Sequence, residues 1–330
     1  MNRIASTLLL LPLTLRAQTA PPAAAPTGNA PAVLPGRGLA QHDFLYCGEW
    51  NYDQPQQTMW VIRDGKPVWS YDIPFNVIFN NKKDIEELGD CTQRSNGNIV
   101  FSTRLGAAEV TPDKKIVWQM FTPIGTELHS IQAIGLDHVL VAENGNPSAK
   151  LLLIDTVTNK IEKEVPIPVG HPDKIHPQIR RARMLPSGNF LVAHMDWHKV
   201  AEYDGAGKEA WSCDTPQPWA AVRLANGNTL VTGNSAGYVR ELNPKCEVVW
   251  SFERSDMPDY TINCIQDVVR LPNGNTVFSA WIANKLKPEE WPTSVQLFEV
   301  TPDKKIVWAL RQWSGPDLGP ASGIQILDAR

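Results

Sequence analysis

The decapeptide EVTPDKKIVW occurs twice in this chain, at residues 109–118 and again at 299–308. Ten identical residues in a chain of 330 mark a repeat unit, and a fixed-period repeat limits the fold more than any local signal does. Longer copies run over residues 94–120, 183–213, 223–252 and 270–310. Each begins with an apolar run that ends at Asn-Gly-Asn or Ser-Gly-Asn, a tight hairpin signal because Gly and Asn tolerate positive φ. A second β-rich run follows, then a variable loop and a third run ending near Glu109, Glu202, Glu241 or Glu299. A short turn then leads to a fourth run ending in Trp. β-branched and alternating runs bounded by turn residues are strand signals. Four antiparallel strands at this period make a propeller blade.

The spacing within the units supports the assignment. Glu and Trp are nine residues apart in Glu109/Trp118, Glu202/Trp211, Glu241/Trp250 and Glu299/Trp308. Trp60/Trp69 keeps that spacing, with Trp in place of Glu. Residues 282–293 are inserted between the second and third strands of the last unit. Residues 128–167 form a degenerate unit that has no Trp. The first unit supplies only three strands, and SGIQILDAR at residues 322–330 supplies the fourth. The expected fold is therefore all-β: a six-bladed β-propeller of four-stranded antiparallel blades, closed by the C-terminal strand joining the first blade. Closure removes sheet edges that would otherwise pair with other chains. The recurrent Trp is expected on the outermost strand, packed on the neighbouring blade.

The N-terminus reads differently. Arg3, an apolar run over residues 4–15 and small residues at Ala17 and Ala20 make residues 1–20 a signal peptide, too short to span a bilayer. Residues 21–40 are a Pro/Ala-rich leader with no core of its own. Residues 41–330 then form a single domain, and the expected location is secreted or periplasmic. A net charge of −4 without a basic stripe argues against nucleic acid. Of the five cysteines, none forms a CxxC or vicinal pair, so their spacing names no partners and buried or free thiols are the expected state.

In a propeller, the connections between blades and the loops from second to third strand share one face with the mouth of the axial channel, where ligands converge. His129, His171, His176, His194 and His198 map to that face. Asp90, Gln132, Gln178, Arg180, Arg181, Gln266 and Asp267 lie on innermost strands or their entries, and Trp197, Trp219 and Trp281 add aromatic faces. The repeated Ile-Gln of Gln132, Gln266 and Gln325 reads equally as a ring of channel ligands or as a device bonding adjacent blades. Histidines beside carboxylates suit a divalent metal, but no HxH or HExxH spacing is present and no metal ligands are assigned.

The repeat RLPNGNTVF…EVTPDKKIVW resembles the blades of PQQ-like and arylsulfotransferase-like β-propellers, across nearly all of residues 44–328. This resemblance implies an exported bacterial propeller. The quinoproteins carry pyrroloquinoline quinone on an eight-bladed ring beneath a vicinal disulfide, features this chain lacks, so that cofactor is not expected. The arylsulfotransferases use a channel histidine flanked by His and Arg. No contiguous catalytic motif of theirs is present, yet His129, His176 and His194 with Arg181 are residues of that type. The chain is also similar to secreted propellers of bacteria with large carbohydrate-degrading repertoires, which implies a saccharide ligand.

The expected function is thus binding of a small polar ligand, a sugar or an anion, at the mouth of the channel. One alternative is an enzyme of sulfotransferase-like or lyase-like type using a channel histidine. The other is a protein-interaction platform whose partner meets the 282–293 loop through Trp281 and Trp291.

Overall fold

A computed structural model of the chain describes residues 30–48, 55–79, 82–282 and 287–328. The proposed signal peptide lies outside these residues, as does most of the leader. Six four-stranded antiparallel sheets follow one another around a ring. Blade 2 is β6 (Leu88–Gln93), β7 (Ile99–Thr103), β8 (Gly106–Val110) and β9 (Ile116–Phe121), from the axis outward. Blade 3 is β10 (Glu127–Ile134) to β13 (Lys160–Ile167), blade 4 is β14 (Ile179–Met184) to β17 (Glu209–Asp214), and blade 5 is β18 (Pro218–Arg223) to β21 (Val248–Glu253). Blade 6 runs from β22 (Cys264–Arg270) to β25 (Ile306–Leu310). Blade 1 takes its innermost strand, β26 (Ala321–Ile326), from the C-terminal end, where it pairs with β1 (Phe44–Gly48) ahead of β2 (Gln56–Arg63) and β3 (Lys66–Pro74). The ring closes as the repeat pattern requires.

The local chemistry follows from the turns. Gly97, Gly188, Gly227 and Gly274 adopt φ of +89°, +84°, +85° and +88°, the conformation that tightens each first hairpin. The Asn after the Gly then donates its side-chain amide to the Glu of the third strand, as in Asn98–Glu109 and Asn275–Glu299, both at 2.7 Å. The same Glu accepts from an arginine of the next blade in Glu202–Arg223 (2.7 Å) and Glu241–Arg270 (2.8 Å). In blades 4 and 5 the Glu of the repeat is therefore an inter-blade tie.

The Trp is a second tie. The indole N–H of Trp69, Trp211 and Trp250 donates to the carbonyl of Pro112, Pro244 and Pro302 in the outer turn of the following blade, at 2.8–2.9 Å. Trp308 has no such turn to reach, since blade 1 turns on the two-residue Asp64-Gly65, and it donates instead to Gly38 O at 2.9 Å. Ala309 N–H donates to Pro35 O, and Gln41 and His42 bond Glu299. The described part of the leader is thus strapped onto the outer strand of blade 6.

Further features depart from the sequence reading. In blade 1 the strand partner of Trp69 is Val61, not Trp60, because the shorter turn takes one residue out of the spacing. A small hairpin, β4 (Asn76–Phe79) and β5 (Lys82–Ile85), stands between blades 1 and 2. Four of the cysteines are paired, Cys47–Cys91 joining blades 1 and 2 and Cys213–Cys246 joining blades 4 and 5, while Cys264 is free and buried. Sequence spacing cannot reveal such pairings because the ring brings together cysteines 44 and 33 residues apart.

Candidate functional site at the channel mouth

The innermost strands share a defect. Register shifts occur between Leu88 and Asp90, Leu128 and Ser130, Ile179 and Arg181, Pro218 and Ala221, and Ile265 and Val268. Bulges of this kind re-aim a side chain and are common beside binding sites. The residues they hold are Gly89, His129, Arg180, Trp219 with Ala220, and Gln266 with Asp267. Blades 3 to 6 therefore present His129, Arg180, Trp219 and Gln266 at equivalent positions around the mouth. Two of the contacts around this arc are direct. Arg180 Nη1 lies 3.0 Å from His129 Nδ1, and its guanidinium lies over the Trp219 ring at 4.7 Å from the centroid.

Glu127 joins them from above. On a strand its side chain shares a face with that of His129 two residues on, and its Oε2 is 3.1 Å from His129 Nε2. The same oxygen is 2.9 Å from Nδ1 of His176, which arrives from the connection between blades 3 and 4. Arg104, in the β7–β8 turn, donates Nε–H to Glu127 Oε1 at 2.9 Å and Nη1–H to Asp84 Oδ1 at 3.0 Å. The two imidazoles meet edge to face, 5.0 Å apart. His129 is buried, but the His176 side chain is half exposed.

These contacts fix the protons. A guanidinium only donates, so His129 Nδ1 accepts and its proton sits on Nε2, facing Glu127. Burial first, then the adjacent Arg180 charge, pushes the His129 imidazole down to about 3, so it is neutral. Burial alone would raise the Glu127 carboxyl, but hydrogen bonds from His129 and His176 outweigh it and hold the group ionised, well below the usual carboxylate range. His176 donates Nδ1–H to Glu127, and its Nε2 lies 4.0 Å from Glu87 Oε2. The result is a relay in which Arg180 fixes His129, His129 and Arg104 fix Glu127, and Glu127 orients one exposed imidazole.

Glu127, His129 and His176 also place one donor atom each within 4.8 Å of one another, a set that suits a divalent ion by ligand type. The Arg180 contact opposes that use. A metal on His129 Nε2 would force the proton to Nδ1, against the guanidinium.

Other expected site residues serve the scaffold. Arg181 is 2% exposed and lies across the channel. It donates to Gly89 O, His129 O and Ser322 O at 2.9–3.1 Å and sits 3.7 Å from both Asp90 and Asp267. It therefore holds no free cation for catalysis. Asp90 accepts from Ile131 N–H and Arg183, and Asp267 from Ile324 N–H, each bonding the next blade or the channel lining. Gln132 accepts Met184 N–H, Gln325 accepts Gln93 N–H, and Gln178 bonds both backbone groups of Gly145. These glutamines follow the blade-bonding reading. Gln266 does not: its Oε1 is buried and, among the described residues, has no hydrogen-bond partner, and the same holds for the Trp219 indole N–H.

His194 is not part of the cluster. It is fully buried and meets Tyr203 at 3.0 Å, in the core shared by blades 3 and 4, because the strand alternation that buries Phe190 and Val192 carries it inward too. His198 takes a left-handed backbone (φ +53°) and accepts Gln217 N–H at Nδ1. Trp197 remains 39% exposed, with Lys199 Nζ 4.0 Å from its ring centroid. Trp281 and Trp291, expected outside, are buried with Ile282 and Cys264, because the 3-10 turn Pro288–Thr293 folds Trp291 back under the loop. Residues 283–286 of that loop lie outside the described residues. Glu127, Arg104 and Asp84 were not singled out by the sequence reading; the signal available for Glu127 was Glu-x-His at strand period.

The sequence matches no protein-family model and none of the curated proteins. Among solved structures, the fold is similar to a protein of unknown function from Bacteroides caccae, with a TM-score of 0.71 and 22% identity over 86% of this chain and 97% of that one. It is also similar to streptogramin B lyase (TM-score 0.53, 10% identity, 86% of each chain). A catalytically inactive virginiamycin B lyase from Staphylococcus aureus with quinupristin gives a TM-score of 0.53 and 12% identity over 84% of this chain and 87% of that one. At these identities the likeness shows a shared propeller fold and nothing of the chemistry.

Proposed function

We propose that this protein is an exported β-propeller that binds a small polar ligand, a sugar or a small acid, at the channel mouth between Glu127, His176, Arg180, Trp219 and Gln266. One observation carries the reading: four consecutive blades break their innermost strand at the same place to present His129, Arg180, Trp219 and Gln266 there. Two buried polar atoms in that arc, the Trp219 N–H and Gln266 Oε1, have no hydrogen-bond partner among the described residues. Such atoms cost stability unless a bound molecule satisfies them. Two disulfides support export, since they persist in oxidising compartments.

A second reading rests on His176. A half-exposed imidazole oriented by a carboxylate is an arrangement suited to acid–base catalysis of a lyase-like kind. A thermal-shift screen of sugars, organic acids and sulfate esters separates the readings. A ligand of this site stabilises the wild type, loses its effect in Gln266→Ala and Trp219→Phe, and keeps it in His194→Ala, a control from the core. Turnover of a stabilising compound, lost in His176→Ala while binding persists, would establish the enzyme. A hit whose stabilisation survives the mouth substitutions moves the site elsewhere.

A further inference from the structure

Blades 2 and 6 carry the identical decapeptide, which allows them to be compared position by position. On the outer side of blade 5, Trp250 stacks on Phe252 (6.4 Å, 11°), and Phe252 leans on Phe278 of blade 6 (5.9 Å, 50°). The same three positions between blades 1 and 2 are Trp69, Tyr71 and Phe101, with near-identical geometry at 6.0 Å, 11° and 5.9 Å, 47°. There the likeness ends. In blade 6, Phe298 faces Phe278 across the strand pair and stacks on it at 5.2 Å, and Tyr260 caps Phe298 edge-on at 5.0 Å. In blade 2 the strand partner of Phe101 is Ala108, in the run Gly106-Ala107-Ala108. The ring of Phe298 thus has no counterpart in the strand pair of blade 2, and a cavity of about 180 Å³ lies beside Phe101 and Ala108.

Its lining combines ring faces with acid. Tyr71, Phe101, Met120 and Phe121 give the apolar walls, and Asp72 and Glu86 the carboxylates; among the described residues no Lys or Arg lines it. Thr103 donates to Glu86 Oε1 at 3.0 Å and Thr58 to Asp72 Oδ1 at 2.8 Å, but among the described residues no cation pairs with either acid. Burial raises the Glu86 carboxyl, as expected of a charge short of compensation.

We propose that this cleft between blades 1 and 2 is a second binding site, for an organic ammonium ion bearing a short aromatic or aliphatic body. The body replaces the missing ring, and the ammonium lies between the carboxylates and the aromatic faces, where a cation is favoured by both.

The test is calorimetric titration with 2-phenylethylammonium, alongside the neutral alcohol and the phenylpropionate anion of the same shape. The ammonium is expected to bind saturably and the alcohol and anion at least about tenfold more weakly, a difference of one charge-assisted contact. Glu86→Gln, which keeps the shape, is expected to weaken the ammonium by a similar factor. Ala108→Phe restores the blade 6 packing and is expected to abolish binding; Ala108→Leu serves if the larger ring unfolds the blade. His176→Ala is expected to leave binding unchanged, which separates this site from the mouth. The proposal is overturned if the ammonium does not bind the wild type, if the alcohol binds equally well, or if Glu86→Gln retains full affinity.

Discussion

Two histidines of this chain are buried without charge, and they set how the fold responds to acid. Burial first and the nearby Lys199 charge second push the His194 imidazole down to about 3, and His129 is pushed equally far. In the unfolded chain both return to their ordinary value near 6.5. Between those limits the unfolded state binds protons that the folded state refuses, so stability falls as pH drops from about 6.5 and levels off only near 3. The acidic limb also contains Glu127, whose depressed carboxyl adds its own loss below its unfolded value. His194 isolates the histidine effect, because it lies apart from the mouth. His194→Gln removes the titration while keeping a polar partner for Tyr203. Melting temperature plotted against pH is expected to fall less steeply between pH 6.5 and 4 in this variant than in the wild type. Parallel curves would show that His194 is protonated in the folded state.

At the scale of the element, the recurrent Trp acts as a hook from one blade to the next. Trp308 is the instructive copy, because its partner is Gly38 of the leader instead of a turn. Trp308→Phe keeps most of the ring and removes the indole donor, leaving Gly38 O unmatched, which costs about 1 kcal/mol. Trp211→Phe, which frees Pro244 O, is expected to cost the same if both hooks are equivalent. Removing residues 1–40 is expected to cost more than Trp308→Phe, since it also uncovers Ala309 N–H and the face of a buried indole. Melting temperatures check the order, at roughly 2–4 °C per kcal/mol for a domain this large. These elements were largely legible in advance. Turn residues and the Glu/Trp spacing are local properties, and strand order, blade number and C-terminal closure follow from them. The leader strap was not legible, because a Pro/Ala-rich segment shows no periodicity and its role depends on a missing turn elsewhere in the ring. The site was legible only in part. His129, Arg180, Trp219 and Gln266 stood out as polar or aromatic residues on inner strands, but the bulges that align them are register effects between strands.

Five of the six blades meet at one guanidinium. Arg181 belongs to blade 4, yet it bonds carbonyls of blade 2 (Gly89), blade 3 (His129) and blade 1 (Ser322) and lies beside carboxylates of blades 2 and 6. A propeller closes by contacts between neighbours, and Arg181 adds contacts across the axis that neighbour packing cannot supply. Even a glycine is tailored to it: a Cβ at Gly323 would sit 3.3 Å from Arg181 Nη2. Burying so much charge is not in itself stabilising, because desolvation offsets most of the attraction, but removing one partner strands the others. Asp90 would retain its direct contact with Arg183 at 2.9 Å, whereas Asp267 would keep only the more distant charge of Arg183 and is the acid left more exposed to that penalty. Arg181→Met is therefore expected to cost about 3–5 kcal/mol in urea denaturation at neutral pH. Adding Asp267→Asn to it is expected to recover about 1–2 kcal/mol, the coupling of residues in one network. A loss below about 1 kcal/mol for Arg181→Met, or strict additivity of the two substitutions, would return closure to the inter-blade hooks alone. It would also leave the arginine free for a role in binding, which the present geometry denies it.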